Sequence, residues 1–441
     1  MLNNIVVYKL GGTSQCIEGY TNLYKTINEQ NTNIKIIIVL SAISGVTNLL
    51  IKFTESKDIE NIDNVISKSN ELFNKIFDNY SGEEELKDFY QNSLKIIQEL
   101  YDILEFDAKT YIKSSDITDI YSKSKIIGYG EIISTNLLNI FLKKHNISNT
   151  LLNSYEYIKS KKEIYQCTTP TEFYALPIDF DSNPETNIFI LQGYIGSTSS
   201  NKTVLLGRGG SDTTGALVAK ANKASKYEVW TDVNGIYTSD PRIFSNARIV
   251  SKIDYGICQE LSAMGAKVMH PLSIKPCADI SIPIFIRNTF TMDIGTCICE
   301  NLEQNGIFYA VQSSQTLFKI KSLNMWNSSG FVSSIFRKFS EKGINIDIVT
   351  TSQFSITTTT TETNQYKLME IRDELAETYE VEMVMNCVIL SIVKKDIKNI
   401  LSQLRYSDIP SEMIHISDNN LTLNIVLKKF VPELITKLFN F

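Results

Sequence analysis

Apolar and polar positions divide the 441-residue chain into stretches of different character. The first 50 residues open with Ile5-Val6-Val7-Tyr8, turn at Gly11-Gly12, pass through a helix-like stretch and reach Ile36-Ile37-Ile38-Val39-Leu40. Unbroken Ile/Val runs of this kind suit parallel strands covered on both faces. Residues 51–145 are charged, poor in Gly and Pro, and largely helical, with Leu94, Ile97, Leu100, Tyr101 and Leu104 at helical spacing. Residues 150–300 alternate strand and helix signals: strands at 188–191, 203–206, 227–231 and 282–286, and a helix at 213–222. Such alternation predicts an α/β sandwich with functional groups at strand ends.

Beyond residue 300 the pattern becomes a weak internal repeat. Strand 316–321 leads into a helix at 330–343, whose Phe331, Val332, Ile335, Phe336 and Phe339 form one stripe. Strands 346–351 and 354–360, helix 366–379 and strand 381–386 complete a βαββαβ copy. A second copy runs through strand 388–393, helix 396–404, strands 413–416 and 421–427 and helix 432–439, and is one strand short. The segment 307–311 reads either as a linker or as the strand that completes it. The expected division is therefore 1–300, 301–387 and 388–441.

Composition narrows the function. A hydrophobic share of 43% and a charged share of 21% are those of an ordinary globular protein, and the length predicts two or three domains. No run approaches the roughly 20 apolar residues that span a bilayer, and the first residues lack a signal-peptide pattern. A cytoplasmic protein is expected. The net charge of -6 argues against bulk attraction to nucleic acid or anionic membrane. Seven scattered cysteines, of which only Cys297 and Cys299 are close, predict free thiols and no metal set.

Three segments carry chemistry. Lys9-Leu10-Gly11-Gly12-Thr13-Ser14 follows a strand directly; glycines let backbone N–H groups approach phosphate, and a lysine supplies a point charge. Alone, this reads equally as a tight turn, and its spacing is not that of a P-loop. Leu206-Gly207-Arg208-Gly209-Gly210-Ser211-Asp212 joins a glycine-rich turn to a helix. Its arginine suits a carboxylate, and its aspartate is either functional or a helix cap. Residues 230–242, from Trp230 through Asn234-Gly235 to Arg242, suit a nucleotide or simply a well-made loop.

Taken together, these segments resemble the amino-acid kinase superfamily, and specifically the aspartate kinases, over residues 6–296. Residues 39–48, Gly130-Glu131, residues 192–196 and residues 264–271 support the likeness. The resemblance implies a three-layer α/β kinase sandwich followed by two ferredoxin-like ACT modules, the first inserted into the second. It implies ATP with Mg2+ as cofactors and phosphorylation of the aspartate side chain, without a dedicated protein cage for the metal. Lys9 and Asp212 are then the catalytic pair. Ser41, Thr47, Glu131, Arg208 and Ser211 would hold aspartate, Glu131 on its ammonium and Arg208 on its α-carboxylate. Lys9, Gly11, Gly12, Thr231, Asp232, Tyr237, Arg242 and Lys267 would serve ATP.

The regulatory half is similar to the lysine-sensitive branch at residues 325–332 and 345–352. Lysine would bind among Met325, Ser328, Phe331, Val332, Ile346, Asp347, Ser352 and Gln353, and the ACT modules would pair the chain as a homodimer. Tetramerisation stays open. Departures are Leu10 for phenylalanine, Tyr129 for histidine, Asn234 for proline and Gln353 for glutamate. The second module also lacks the glycine-bearing loop before its helix. Alternatives are another acceptor on the same fold, or a non-catalytic amino-acid sensor. A fused homoserine dehydrogenase is not expected.

Overall fold

The computed structural model describes residues 4–30, 33–78, 84–114, 120–161, 172–265, 269–300, 306–323, 329–395, 397, 411–417 and 421–429. The chain forms two compact units, Met1–Ile236 with Ile249–Gln259 and Lys267–Leu302, and Tyr237–Arg248 with Glu260–Ala266 and Glu303–Phe441. The two short segments from within the first 300 residues that cluster with the second unit had no signature.

The first unit is built on an eight-stranded sheet. Its order is Lys252–Ile253, Ile294–Ile298, Ile284–Asn288, Lys226–Thr231, Ile5–Leu10, Lys35–Leu40, Ile188–Gln192 and Thr150–Leu151. Five neighbouring strands from Ile284–Asn288 to Ile188–Gln192 are parallel; Ile294–Ile298 runs antiparallel at one side. The Ile/Val runs are buried on both faces, as continuous apolar strands require. One face packs on the helical layer: Val6, Tyr8, Leu10, Ile36, Ile38 and Leu40 share a core with the helices Glu60–Ile76, Glu84–Lys113 and Ile120–Lys144. In Glu60–Ile76, the buried stripe Ile62, Val65, Ser69, Leu72 with Phe73, and Ile76 recurs every three or four residues; Glu60 and Asp63 suit its amino end and Lys75 its carboxyl end. On the other face lies Gly210–Ala221, with Pro271–Ala278 beside it. A small sheet, Phe173–Ala175, Ile158–Ser160, Ile195–Ser197 and Thr203–Leu205, was only partly legible in the sequence.

The second unit holds a six-stranded antiparallel sheet in the order Val349–Thr351, Ser355–Thr360, Phe308–Lys321, Glu380–Val393, Thr422–Leu427, Ser411–Ile416. Segments 307–311 and 316–321 form one strand, Phe308–Lys321, and 381–386 and 388–393 likewise merge into Glu380–Val393. Their pairing shifts register between Gln312 and Leu317, where Ser314 and Asn386 take positive φ values of 60° and 58°. On one side of the shift, Phe308 faces Val393; on the other, Lys321 faces Glu380. Helices Phe331–Glu341 and Gln365–Ala376 cover the first copy through Ile335, Phe339, Leu368, Ile371 and Leu375. The expected strand 346–351 is corrected to Val349–Thr351; ahead of it, Asp347 N–H donates to the Thr359 carbonyl, and Ile348 donates its N–H to the Thr359 hydroxyl and accepts the Thr359 N–H. Helices expected at 396–404 and 432–439 fall outside the described residues, apart from Ile397.

Candidate active site

Parallel pairing brings the carboxyl ends of four strands into line: Leu10 faces both Leu40 and Trp230, and Leu40 faces Gln192. The loops that follow, at Gly11, Ser41, Gly193 and Thr231, therefore emerge at one edge of the sheet, where α/β proteins place their ligands. Lys9 lies on the central strand one residue before this edge.

Lys9 Nζ stands 2.5 Å from Asp212 Oδ1, and both side chains are nearly closed to solvent. Asp212 sits in the first turn of Gly210–Ala221, whose N-cap is Gly209 with no side-chain cap bond. The aspartate thus holds the lysine, and capping does not account for it. Gly209 takes φ 68° and lies against His270, a position and a contact that suit only glycine. His270 in turn caps Pro271–Ala278, its Nδ1 accepting the Leu272 N–H at 3.4 Å. Burial lowers the His270 pKa, with smaller opposing influences from Asp212, which raises it, and Arg208, which lowers it. Arg208 itself is exposed, and no carboxylate among the described residues pairs with it.

The glycine loop is anchored by backbone. Gly11 N–H donates to the Trp230 carbonyl at 3.0 Å, and Gly12 O accepts the Ser44 N–H at 3.1 Å. Of the two expected N–H donors, Gly11's is therefore committed within the fold. Gly12 opens a single turn of 3-10 helix, and Ser14 Oγ donates to the Trp230 carbonyl at 3.3 Å. The long helix starts only at Ile17, capped by Cys16. The role of the Trp230 carbonyl had no sequence signal, because every residue carries that group.

Glu131 lies inside Ile120–Lys144 and is 2% exposed. Its Oε1 accepts the Ala42 N–H at 3.1 Å; Oε2 is buried with no partner among the described residues. Burial pushes its carboxyl up to about 8, against a smaller lowering by the Ala42 bond. The preceding Gly130 permits this approach: a Cβ there would stand 2.8 Å from Ala42 Cβ and 3.2 Å from Val46 Cγ1. Ser41 and Thr47, half-buried, flank the same loop and the start of Val46–Ser56. Ser211 is buried beside Gly193, whose own N–H donates to the Leu40 carbonyl at 2.8 Å.

Thr231 Oγ1 donates to Asp232 Oδ1 at 3.2 Å, and Asp232 is exposed. Tyr237 and Arg242 belong to the segment that clusters with the second unit. Arg242 is engaged locally, with Nε and Nη2 bound to Asp240 at 3.0 and 2.7 Å. Lys267 lies outside the described residues, as do Met325 and Ser328. In the second unit, Phe331, Val332 and Ile346 pack against the first copy's core, whereas Asp347, Ser352 and Gln353 are exposed. Ser352 and Ser355 share a 2.7 Å hydroxyl bond across a tight turn. Among the described residues, no helix is long and apolar enough to cross a membrane, and no three potential ligands gather as a metal site.

Comparison with known proteins fits this geometry. Lysine-sensitive aspartokinase 3 of Escherichia coli (strain K12) is 29% identical over 411 residues, 90% of this chain and 88% of that one. The crystal structure of E. coli aspartokinase III in complex with lysine and aspartate (T-state) has a TM-score of 0.79 at 26% identity, covering 99% of this chain and 100% of that one. The same enzyme in complex with aspartate and ADP (R-state) gives 0.75 at 26% identity over 98% of both chains. Residues 4–288, well over half of the sequence, match the amino acid kinase family. The chain belongs to that family.

Proposed function

We propose that the chain is an aspartate kinase, which transfers the γ-phosphoryl group of ATP to the side-chain carboxylate of aspartate. The observation that carries this reading is Glu131, a carboxylate sealed from water with one oxygen unpartnered among the described residues. Such a group favours a cation beside it, and the α-ammonium of an amino acid is one. Arg208 offers a planar fork for the α-carboxylate. Opposite charges on these two residues select a zwitterion. Ser41, Thr47 and Ser211 supply hydrogen bonds around it. The E. coli relatives, named as aspartokinases and solved with aspartate, support the same substrate.

The substrate carboxylate oxygen attacks the γ-phosphorus, the bond to the β–γ bridging oxygen breaks, and ADP leaves with that electron pair. No proton has to move at neutral pH, so no general base is required. Lys9 stabilises the charge that spreads over the transferring oxygens, and Asp212 keeps its ammonium in place beforehand. Gly12 offers its backbone N–H, and Thr231, Asp232 and Lys267 serve the nucleotide. Magnesium would enter with the nucleotide and would shield phosphate charge.

Lysine is the effector this reading favours, bound by Phe331, Val332, Ile346, Asp347, Ser352 and Gln353, with Met325 and Ser328, at a homodimer of the C-terminal modules. The free thiols of Cys16, Cys258, Cys277, Cys297, Cys299 and Cys387 suit a reducing, cytoplasmic setting. Hydroxylamine trapping of the acyl phosphate tests the acceptor. Aspartate should give hydroxamate with stoichiometric ADP; turnover with glutamate, acetylglutamate or carbamate and none with aspartate would reassign it.

A further inference from the structure

Three consecutive residues, Arg287, Asn288 and Thr289, tie the glycine loop to the loop after Trp230. Thr289, fully buried, shares a 2.6 Å hydroxyl bond with Ser14 Oγ, and its carbonyl accepts Asn22 Nδ2 at 2.9 Å. Its N–H donates to the Thr231 carbonyl at 2.8 Å. Arg287 donates through Nε to Glu228 Oε2 at 2.9 Å and through Nη1 to the Met292 carbonyl at 2.6 Å. Its guanidinium lies 5.3 Å from the Trp230 ring centre, on the residue whose carbonyl holds Gly11. Glu228, fully buried, is neutralised by Arg287 and by Lys226 at 2.5 Å.

Asn288, 5% exposed, uses both ends of its amide. Oδ1 accepts the N–H groups of Phe290 and Thr291 at 2.8 and 3.2 Å, which fixes the turn. Nδ2 donates to Asn234 Oδ1 at 2.5 Å and reaches the Asp232 carbonyl at 3.5 Å. Asn234 and Asp232 are themselves exposed. A buried amide that anchors an exposed loop adds little to the core; it removes freedom from the loop, which favours binding there.

We propose that Asn288 is a positioning residue for the nucleotide: it fixes Asp232 and Asn234 relative to the glycine loop, and nucleotide affinity depends on it while aspartate affinity does not. This rests on the phosphotransferase reading above. The test titrates the full chain with MgADP and, separately, with aspartate by calorimetry, using Asn234→Ala, Asn288→Ala and the double variant. Each single change should weaken MgADP about tenfold, the loss of one well-placed hydrogen bond. The double variant should be no weaker than the weaker single, because the same bond is lost. Aspartate affinity should stay within about twofold of the wild-type value, well below the effect of that bond. If Asn288→Ala does not fold, Asn234→Ala, at the exposed end of the bond, carries the test. Wild-type MgADP affinity in Asn234→Ala, additive losses in the double variant, or equal losses for both ligands would each overturn the proposal. A wild-type chain that takes up no MgADP would bring down the phosphotransferase reading and, with it, the positioning role of Asn288. Wild-type uptake with unaffected variants removes the positioning role of Asn288 alone.

Discussion

The two units differ in how deeply they bury charge. Besides surface pairs such as Lys109 with Glu105, the first holds ions in its interior: Lys9 with Asp212, and the fully buried Glu228 with Lys226 and Arg287. Glu131 is buried with half of its carboxylate unmatched. In the second, ion pairs lie towards the surface: Lys319 meets Glu412 at 2.6 Å and Glu382 at 3.3 Å, and Lys342 meets Glu370 at 2.6 Å. The expected effector contacts Asp347, Ser352 and Gln353 are exposed. Phosphoryl transfer needs charges fixed before the substrate arrives, because reorganising them during reaction costs rate. Sensing needs only a difference in affinity between states, which exposed groups can supply.

The contrast is broken most directly at Lys9. Lys9→Ala should lower kcat about 10³-fold while circular dichroism keeps its wild-type shape, since phosphoryl transfer depends on that charge. Near-normal turnover in a folded variant would remove the central claim. Arg208→Ala should raise the aspartate KM about a hundredfold, the value of a lost charge-assisted pair, and leave the ATP KM near its wild-type value. Steady-state kinetics with each substrate varied in turn separates the two; a change confined to ATP would move Arg208 to the other side of the site.

Glu131 sharpens the contrast through pH. Its carboxyl, raised to about 8 by burial, is mostly protonated at pH 6.5 in the unliganded chain, yet an ammonium binds the carboxylate. Aspartate binding should therefore tighten as pH rises, by roughly twentyfold between pH 6.5 and 8.5 for a group of this pKa. Glu131→Gln should flatten that dependence. Stability runs the other way. A folded-state pKa above the unfolded value gives a contribution present at low pH and lost as pH rises from about 4.5 through 8, so the unliganded wild type should melt at lower temperature across that range. Melting curves that rise with pH by the same amount in wild type and Glu131→Gln would contradict the assigned environment.

Much of the first unit was legible in sequence because its signals are local. Ile36 to Leu40 must be buried on both faces wherever they lie, and a lysine at a strand end beside two glycines is visible in one window. The same locality explains what was missed. Thr289 and Asn288 act on Ser14 and Asn234 across 275 and 54 residues, and neither a threonine nor an asparagine in a turn announces a distant partner. Gly11 illustrates the opposite error: its N–H suits phosphate in sequence, but tertiary structure gives it to Trp230. In the second unit, two separate strand signals became one long strand, because hydrophobic periodicity does not record whether a bulge interrupts a strand or bends it.

The smallest expected effect lies at Gln353, where aspartate kinases of the lysine-sensitive branch usually carry glutamate. An exposed carboxylate near a cationic ligand is screened by water, so its restoration is worth less than a buried charge. Gln353→Glu should lower the half-inhibitory lysine concentration about threefold, the scale of an exposed ion pair, with kcat in the absence of lysine unchanged. Lysine titrations of activity and of melting temperature in both proteins measure it. A tenfold or larger gain would show that the turn after Val349–Thr351 is enclosed when lysine binds, as a second copy of the chain would enclose it. If neither protein responds to millimolar lysine, the effector assignment fails while the Lys9 prediction stands untouched, since the two claims rest on different residues of different units.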